Sequence, residues 1–206
     1  MIIKVCGMRE ADNIREVAAL GINWMGFIFY PKSPRATDGQ PLLQTDLLDK
    51  RQKRVGVFVN ASVEAMMEKA NLYHLDYLQL HGNESPDDCH ALRKRGYSLI
   101  KAFPVASAAD LERTQPYEGR VDYFLFDTKC EGYGGSGRRF DWSVLGAYTG
   151  DTPFLLSGGI RPESVDAILA FHHPRWAGID LNSGFEVCPG LKDVEKLKQF
   201  IKQLKR

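Results

Sequence analysis

The sequence predicts one closed (β/α)8 barrel, eight parallel strands with outer helices, as a single domain over residues 1–206. Three observations carry that expectation. Eight short apolar, β-rich runs recur along the whole chain, amphipathic segments separate them, and the last two runs break into glycine-rich turns. Near-continuous apolar strands alternating with helices belong to a parallel sheet that helices cover. An open doubly wound sheet would more often carry about six strands. At 206 residues the chain sits at the compact end for a closed barrel, typically about 250 residues. No linker or low-complexity segment marks a second domain.

The strands are read in order from Ile2 to Cys6, Trp24 to Phe29, Arg54 to Val59, Tyr77 to Leu80, and Ser98 to Phe103. Tyr123 to Phe126, Pro153 to Leu156 and Ala177 to Leu181 complete the set. Between them, Ala11 to Leu20 puts Ile14, Val17, Ala18 and Leu20 on one side of a helix; Ser62 to Leu72 and Glu163 to Phe171 behave similarly. Ser62 and Ser85, the latter followed by Pro86, are good helix starts. The unit after Phe126 is long and glycine-rich before any helix.

Composition bounds the function. Hydrophobic residues make up 44% and charged residues 26%, as in an ordinary globular protein. A formal net charge of +1 recruits neither nucleic acid nor an anionic membrane. Lys196, Lys198, Lys202, Lys205 and Arg206 are expected on the wet face of a last helix. No secretory apolar region follows Met1, and no stretch approaches the roughly 20 apolar residues of a spanning helix. Cys6, Cys89, Cys130 and Cys188 lack paired spacing, which disfavours a zinc site and a disulfide framework. Reduced thiols in a cytoplasm are the expectation, with no metal and no cofactor.

The barrel topology brings the carboxyl ends of the strands to one mouth, where barrel enzymes do their chemistry. Cys6, Arg35, Gln79, His81, Asp127, the Ser157 turn and the Asp180 turn fall there. In Phe154-Leu155-Leu156-Ser157-Gly158-Gly159 and Gly178-Ile179-Asp180-Leu181-Asn182-Ser183-Gly184, small residues expose backbone amides that suit a phosphate. Cys6 reads either as a buried small apolar residue or as a thiolate base, with Arg35 as a nearby cation. Asp127 is either an acid with a pKa raised by desolvation or a carboxylate paired with Lys129 or loop amides. Arg35, stiffened by Pro31 and Pro34, either grips an anion or is solvated. His81 and Gln79 share a face, with His81 a positioning donor or a satisfied structural histidine more than a base. Asp180 is a buried hydrogen-bonding carboxylate or a substrate contact. The glycine-rich stretch 129–139 reads as a cover over the mouth or a plain loop.

Taken together, Lys4-Val5-Cys6-Gly7, Gly26 to Arg35, Val55 to Asn60, Gln79 to Gly82, Phe126 to Lys129, Tyr133 to Gly137, Phe140-Asp141-Trp142, Ser157 to Gly159, Asp180 to Gly184 and Glu186 resemble the phosphoribosylanthranilate isomerase family of tryptophan biosynthesis. The resemblance covers nearly the full length, in order. It implies the same TIM barrel and an Amadori rearrangement, with no cofactor and a small phosphoribosyl substrate. The family's acid falls on Asp127 and its base on Cys6. Arg35 matches the anthranilate-binding position, His81 and Asp180 are substrate contacts, and Gly158, Gly159, Asn182, Ser183 and Gly184 surround the phosphate. Monomer and homodimer are both compatible.

Two departures stand out. Met8-Arg9 replaces the hydroxyl or amide residue common near position 9, and Asn182 stands where a second serine is more usual. A metal-dependent sugar-phosphate epimerase would need several His and Asp ligands at strand ends, where only His81 of the five histidines falls. A related isomerase of the histidine pathway would pair aspartates at the ends of strands one and five, which here read Cys6 and Phe103. A phosphoribosyl-binding or thiol-sensing barrel would keep the phosphate turns and make Cys6 redox-active.

Overall fold

In the computed structural model, which describes residues 1–39, 48–49, 51–128 and 141–205, eight strands close on themselves in chain order. They are β1 (Ile2–Cys6), β2 (Trp24–Ile28), β3 (Lys53–Phe58), β4 (Tyr77–Leu80), β5 (Ser98–Val105), β6 (Tyr123–Thr128), β7 (Phe154–Leu156) and β8 (Trp176–Leu181). Neighbouring strands pair in parallel throughout, and β8 returns to β1 with Lys4 opposite Asp180.

Both faces of the sheet are covered, which is why its strands are apolar without interruption. Successive side chains point to opposite faces. Val5, Phe27, Leu78, Leu99, Phe124, Phe154 and Ile179 therefore go outward into the core shared with the helices. Trp24, Val55, Ile100, Ala102, Leu125 and Leu155 go inward and fill the barrel. Above that plug sits a small third cluster, Cys6 with Ile28 and Val57.

Around the sheet run α1 (Ala11–Ala18), α2 (Val63–Tyr73), α3 (Pro86–Lys94), α4 (Val165–Ala170) and α5 (Val194–Leu204). The serines expected at helix starts do that work. Ser62 accepts the Ala65 amide, and Ser85 forms a reciprocal box with Asp88 ahead of Pro86. α5 buries Leu197, Phe200 and Ile201 and turns Lys198, Lys202 and Lys205 outward; Arg206 lies outside the described residues.

The outer layer is less helical than expected. After β5 and β6 the chain takes 3₁₀ segments, Ala108–Tyr117 and Trp142–Ala147. In the first, Pro116 removes a donor and the Thr114 hydroxyl turns back to the Leu111 carbonyl at 2.7 Å, both of which work against an α-helix. The helix expected over Glu163 to Phe171 starts as a 3₁₀ turn, Pro162–Ser164, because the Ser164 hydroxyl takes the Arg161 amide at 3.0 Å. Strand five runs on to Val105, with Phe103 facing the outer core.

An unexpected feature follows β8: a short hairpin of β9 (Glu186–Cys188) and β10 (Leu191–Lys192). It turns at Pro189-Gly190, a dipeptide that marks turns. Among the described residues no helix is long and apolar enough to cross a membrane.

Leu125 is wholly buried inside the barrel. Leu125→Ala is expected to lower unfolding free energy by about 2–5 kcal/mol in urea titrations, through lost burial and the cavity left behind. A loss below about 1 kcal/mol would mean the lumen is not packed as described.

Candidate active site

At the carboxyl ends of the strands the inward residues enclose a cavity of about 390 Å³. Cys6, Arg35, His81, Asp127, Gly158, Gly159, Asp180, Asn182 and Ser183 line it; of the predicted set, only Gly184 does not. A β-carbon at Gly184 would lie 2.2 Å from the Ile160 carbonyl oxygen, so this glycine lets the last turn pack against the one before. Gly158 and Gly159 hold φ of +78° and +66°, a left-handed pair that aims successive amides into a concavity suited to an anion. The stretch 129–139, expected as a cover, lies outside the described residues.

Cys6 ends β1 with 3% exposure, seated over Gly26 of β2, where a β-carbon would come within 2.6 Å of its sulfur. Burial pushes the thiol above its ordinary pKa; Lys4 pulls it back, Asp180 adds to the rise, and Lys192 lowers it again. The cations acting on Cys6 are thus Lys4 and Lys192. Arg35, expected as a nearby cation, lies beside Gly7 and is bound to Glu186. Its Nε reaches both oxygens of Glu186 at 2.9 and 3.0 Å, and its Nη2 donates to Oε2 at 2.7 Å.

Lys4 is fully buried and donates to Asp180 Oδ1 at 2.8 Å. Burial opposes its charge, but Asp180 and Cys6 outweigh burial and hold its pKa above the ordinary lysine value. Asp180 Oδ2 accepts the Ser157 hydroxyl at 3.4 Å, which ties the floor to the first phosphate turn. Lys192, also fully buried, donates to Glu186 at 2.7 Å and to Asn182 Oδ1 at 2.8 Å. Burial would raise the pKa of Glu186, yet Arg35, Lys192 and the Gly190 amide hold it below the ordinary carboxylate value.

On the far wall, Gln79 Nε2 lies 2.8 Å from His81 Nδ1, and His81 Nε2 lies 3.5 Å from Asp127 Oδ2. With the amide so oriented, Nδ1 accepts and a neutral ring carries its proton on Nε2, facing Asp127, while buried Gln79 Oε1 has no hydrogen-bond partner among the described residues. The loop after His81 is fixed from behind. Glu84 takes the amides of Asn60 and Gly82 at 2.8 and 2.9 Å, and buried Lys101 donates to Glu84, Leu80 and Gly82.

Sequence reasoning missed Lys4 and Lys192 as site groups. Lys4 carried a signal, since it stands two residues before Cys6 on one strand and therefore shares its face. Lys192 arrives through the hairpin, and only the Pro-Gly turn hinted at that. Among the described residues, no three His, Cys, Asp or Glu side chains gather as a metal ion requires.

A family profile described as PRAI: N-(5'phosphoribosyl)anthranilate (PRA) isomerase matches residues 3–203. N-(5'-phosphoribosyl)anthranilate isomerase of Parabacteroides distasonis is 70% identical over 99% of this chain and 93% of its own length. The fold is similar to the crystal structure of phosphoribosyl anthranilate isomerase from Thermus thermophilus, with a TM-score of 0.88 and 30% identity, covering 100% of this chain and 98% of that one. It is also similar to a phosphoribosyl anthranilate isomerase crystallised in complex with reduced 1-(o-carboxyphenylamino)-1-deoxyribulose 5-phosphate. There the TM-score is 0.84 and the identity 32%, covering 100% of this chain and 99% of that one.

The tautomer of His81 is directly measurable. Long-range ¹H–¹⁵N spectra at alkaline pH are expected to show it protonated at Nε2, and Gln79→Leu is expected to mix the tautomers. A proton on Nδ1 in the unsubstituted protein would contradict the assignment.

Proposed function

The chain belongs to the N-(5'-phosphoribosyl)anthranilate isomerase family, and from that premise we propose which of its groups carry the reaction. The enzyme catalyses the Amadori rearrangement of N-(5'-phosphoribosyl)anthranilate to 1-(2-carboxyphenylamino)-1-deoxyribulose 5-phosphate, an aldose–ketose isomerisation in tryptophan biosynthesis.

Asp127 is the general acid. It protonates the furanose ring oxygen as the bond from that oxygen to C1′ breaks, and the nitrogen lone pair forms the C1′=N bond of a protonated Schiff base. Cys6, as thiolate, is the general base. It removes the proton from C2′, and the electrons of that bond form C1′=C2′ while the C1′=N electrons return to nitrogen. The resulting enolamine gains a proton at C1′ and loses one from its 2′-hydroxyl, giving the ketone. The His81 Nε2–H stabilises the Asp127 carboxylate left after the first step.

What supports these roles is that Cys6 and Asp127 line one cavity from β1 and β6, three strands apart round the barrel. Acid and base can then work on different sides of one sugar ring. The Glu186 clamp occupies Nε and Nη2 of Arg35, so we assign its Nη1 edge to the anthranilate carboxylate. The phosphate goes to the amides of Gly158 and Gly159 and to the Asn182-Ser183-Gly184 turn; the sugar hydroxyls go to His81 and Asp180. Binding energy from the distant phosphate orients the reacting carbons. Free thiols at Cys6, Cys89 and Cys188 favour the cytoplasm as its compartment.

Cys6→Ala and Asp127→Asn are each expected to lower kcat by about 10² to 10⁴-fold with substrate binding largely retained. The measurement follows the fading of substrate fluorescence. Two folded variants that turn over at the unsubstituted rate would overturn both roles.

A further inference from the structure

We propose that Lys4 is the positioning residue that keeps Cys6 available as a thiolate, and that Asp180 sets how strongly it does so. This rests on reading Cys6 as the base. Lys4 lies outside the cavity lining, fully buried two residues before Cys6 on the same strand face, so its charge works from beneath the sulfur and not on the substrate.

The groups facing Cys6 come from several elements. β1 contributes Lys4, β8 contributes Asp180, and β10 contributes Lys192. β2 and β3 contribute apolar Ile28 and Val57, and the chain after β2 adds the Tyr30 ring. Arg35 packs against Gly7, the residue that follows. Within this cluster Lys4, Lys192 and Arg35 bring three positive charges, and Asp180 and Glu186 bring two negative ones. Among the protein groups of this cluster one positive charge is therefore in excess while Cys6 is a thiol. Charges removed from water need near balance, and a thiolate beside buried Lys4 brings the cluster closer to it.

Among the three cations, Lys4 is the one suited to act on the sulfur. Arg35 is bound by a two-pronged clamp, and Lys192 is shared between Glu186 and Asn182. Lys4 has three ammonium hydrogens and a single carboxylate partner, Asp180. Asp180 in turn opposes the thiolate, because its own charge faces the sulfur. Removing the lysine and removing the aspartate should therefore move Cys6 in opposite directions, which a purely structural role would not produce.

The test uses the full chain and follows alkylation of Cys6 by iodoacetamide against pH, resolved by peptide mass spectrometry. Thiolate, not thiol, reacts. Lys4→Met is expected to move the midpoint up by about one pH unit or more, with about tenfold slower alkylation at neutral pH. Asp180→Asn is expected to move it down. The rising limb of kcat/KM with pH should follow in the same two directions. If Lys4→Met fails to fold, Lys4→Met/Asp180→Asn removes both charges together, and its midpoint should still rise because Lys4 acts more strongly on the sulfur than Asp180. An unchanged midpoint, or shifts of the same sign in the two single variants, overturns the proposal. Full turnover by Cys6→Ala would instead refute the base assignment and leave the alkylation result to judge Lys4 by itself.

Discussion

Lys4 and Asp180 face each other across the strand pair that closes the barrel, and their 2.8 Å contact is made where no water reaches the ammonium. A buried charge is tolerated only beside its opposite, so this pairing requires β1 and β8 to meet in that register and no other. Slipping β8 by one residue would put Leu181 or Ile179 opposite Lys4 and send the carboxylate outward into the helical core. The same contact supports the chemistry above it. Cys6 stands one inward step beyond Lys4, and Ser157, which opens the first phosphate turn, hydrogen-bonds the other oxygen of Asp180.

From that floor the cavity divides into three regions, which the substrate spans on the proposed reading. The glycine turns after β7 and β8 form an anion end built of backbone. The Arg35–Glu186–Lys192 cluster forms a second, side-chain end, carried partly by the β9–β10 hairpin. Between them lie the thiol and the carboxyl, each with a polar neighbour: buried Lys4 under Cys6, and half-buried His81, held by Gln79, beside Asp127. On the proposed reading Lys4, which lies outside the cavity lining, sets the state of Cys6 from beneath, while His81 meets both Asp127 and the sugar. In a confined cavity such pre-oriented charges act more strongly than they would in water.

Much of this was legible in the chain. Alternation in Leu78-Gln79-Leu80-His81, and the position of Asp127 at the end of the apolar run Tyr123 to Phe126, put these residues at the mouth. Serine and proline at the starts of α2 and α3 marked their caps. The outer layer was harder, because Ala108–Tyr117 and Trp142–Ala147 carry apolar spacing that a 3₁₀ segment satisfies as well as an α-helix. The buried cations were hidden for a different reason. A lysine inside an apolar run usually signals a solvated edge, and only the distant Asp180 or Glu186 makes it tolerable inside. No local pattern shows that partnership. Arg35 was placed at the mouth, but its Glu186 partner was not read, since it arrives 151 residues later through an unforeseen hairpin.

The central claim is that the Cys6 sulfur and the Asp127 carboxyl address one pentose from different sides while the glycine turns hold its phosphate. A crystal structure of this enzyme with the reduced, unreactive form of its ketosamine product tests it most directly. The account predicts Sγ within about 3.5 Å of C2′, an Asp127 oxygen at similar range from the sugar's 4′ oxygen, and the phosphate against Gly158, Gly159 and Ser183. A bound sugar with C2′ turned away from Cys6, or with its phosphate seated on Arg35, would contradict it.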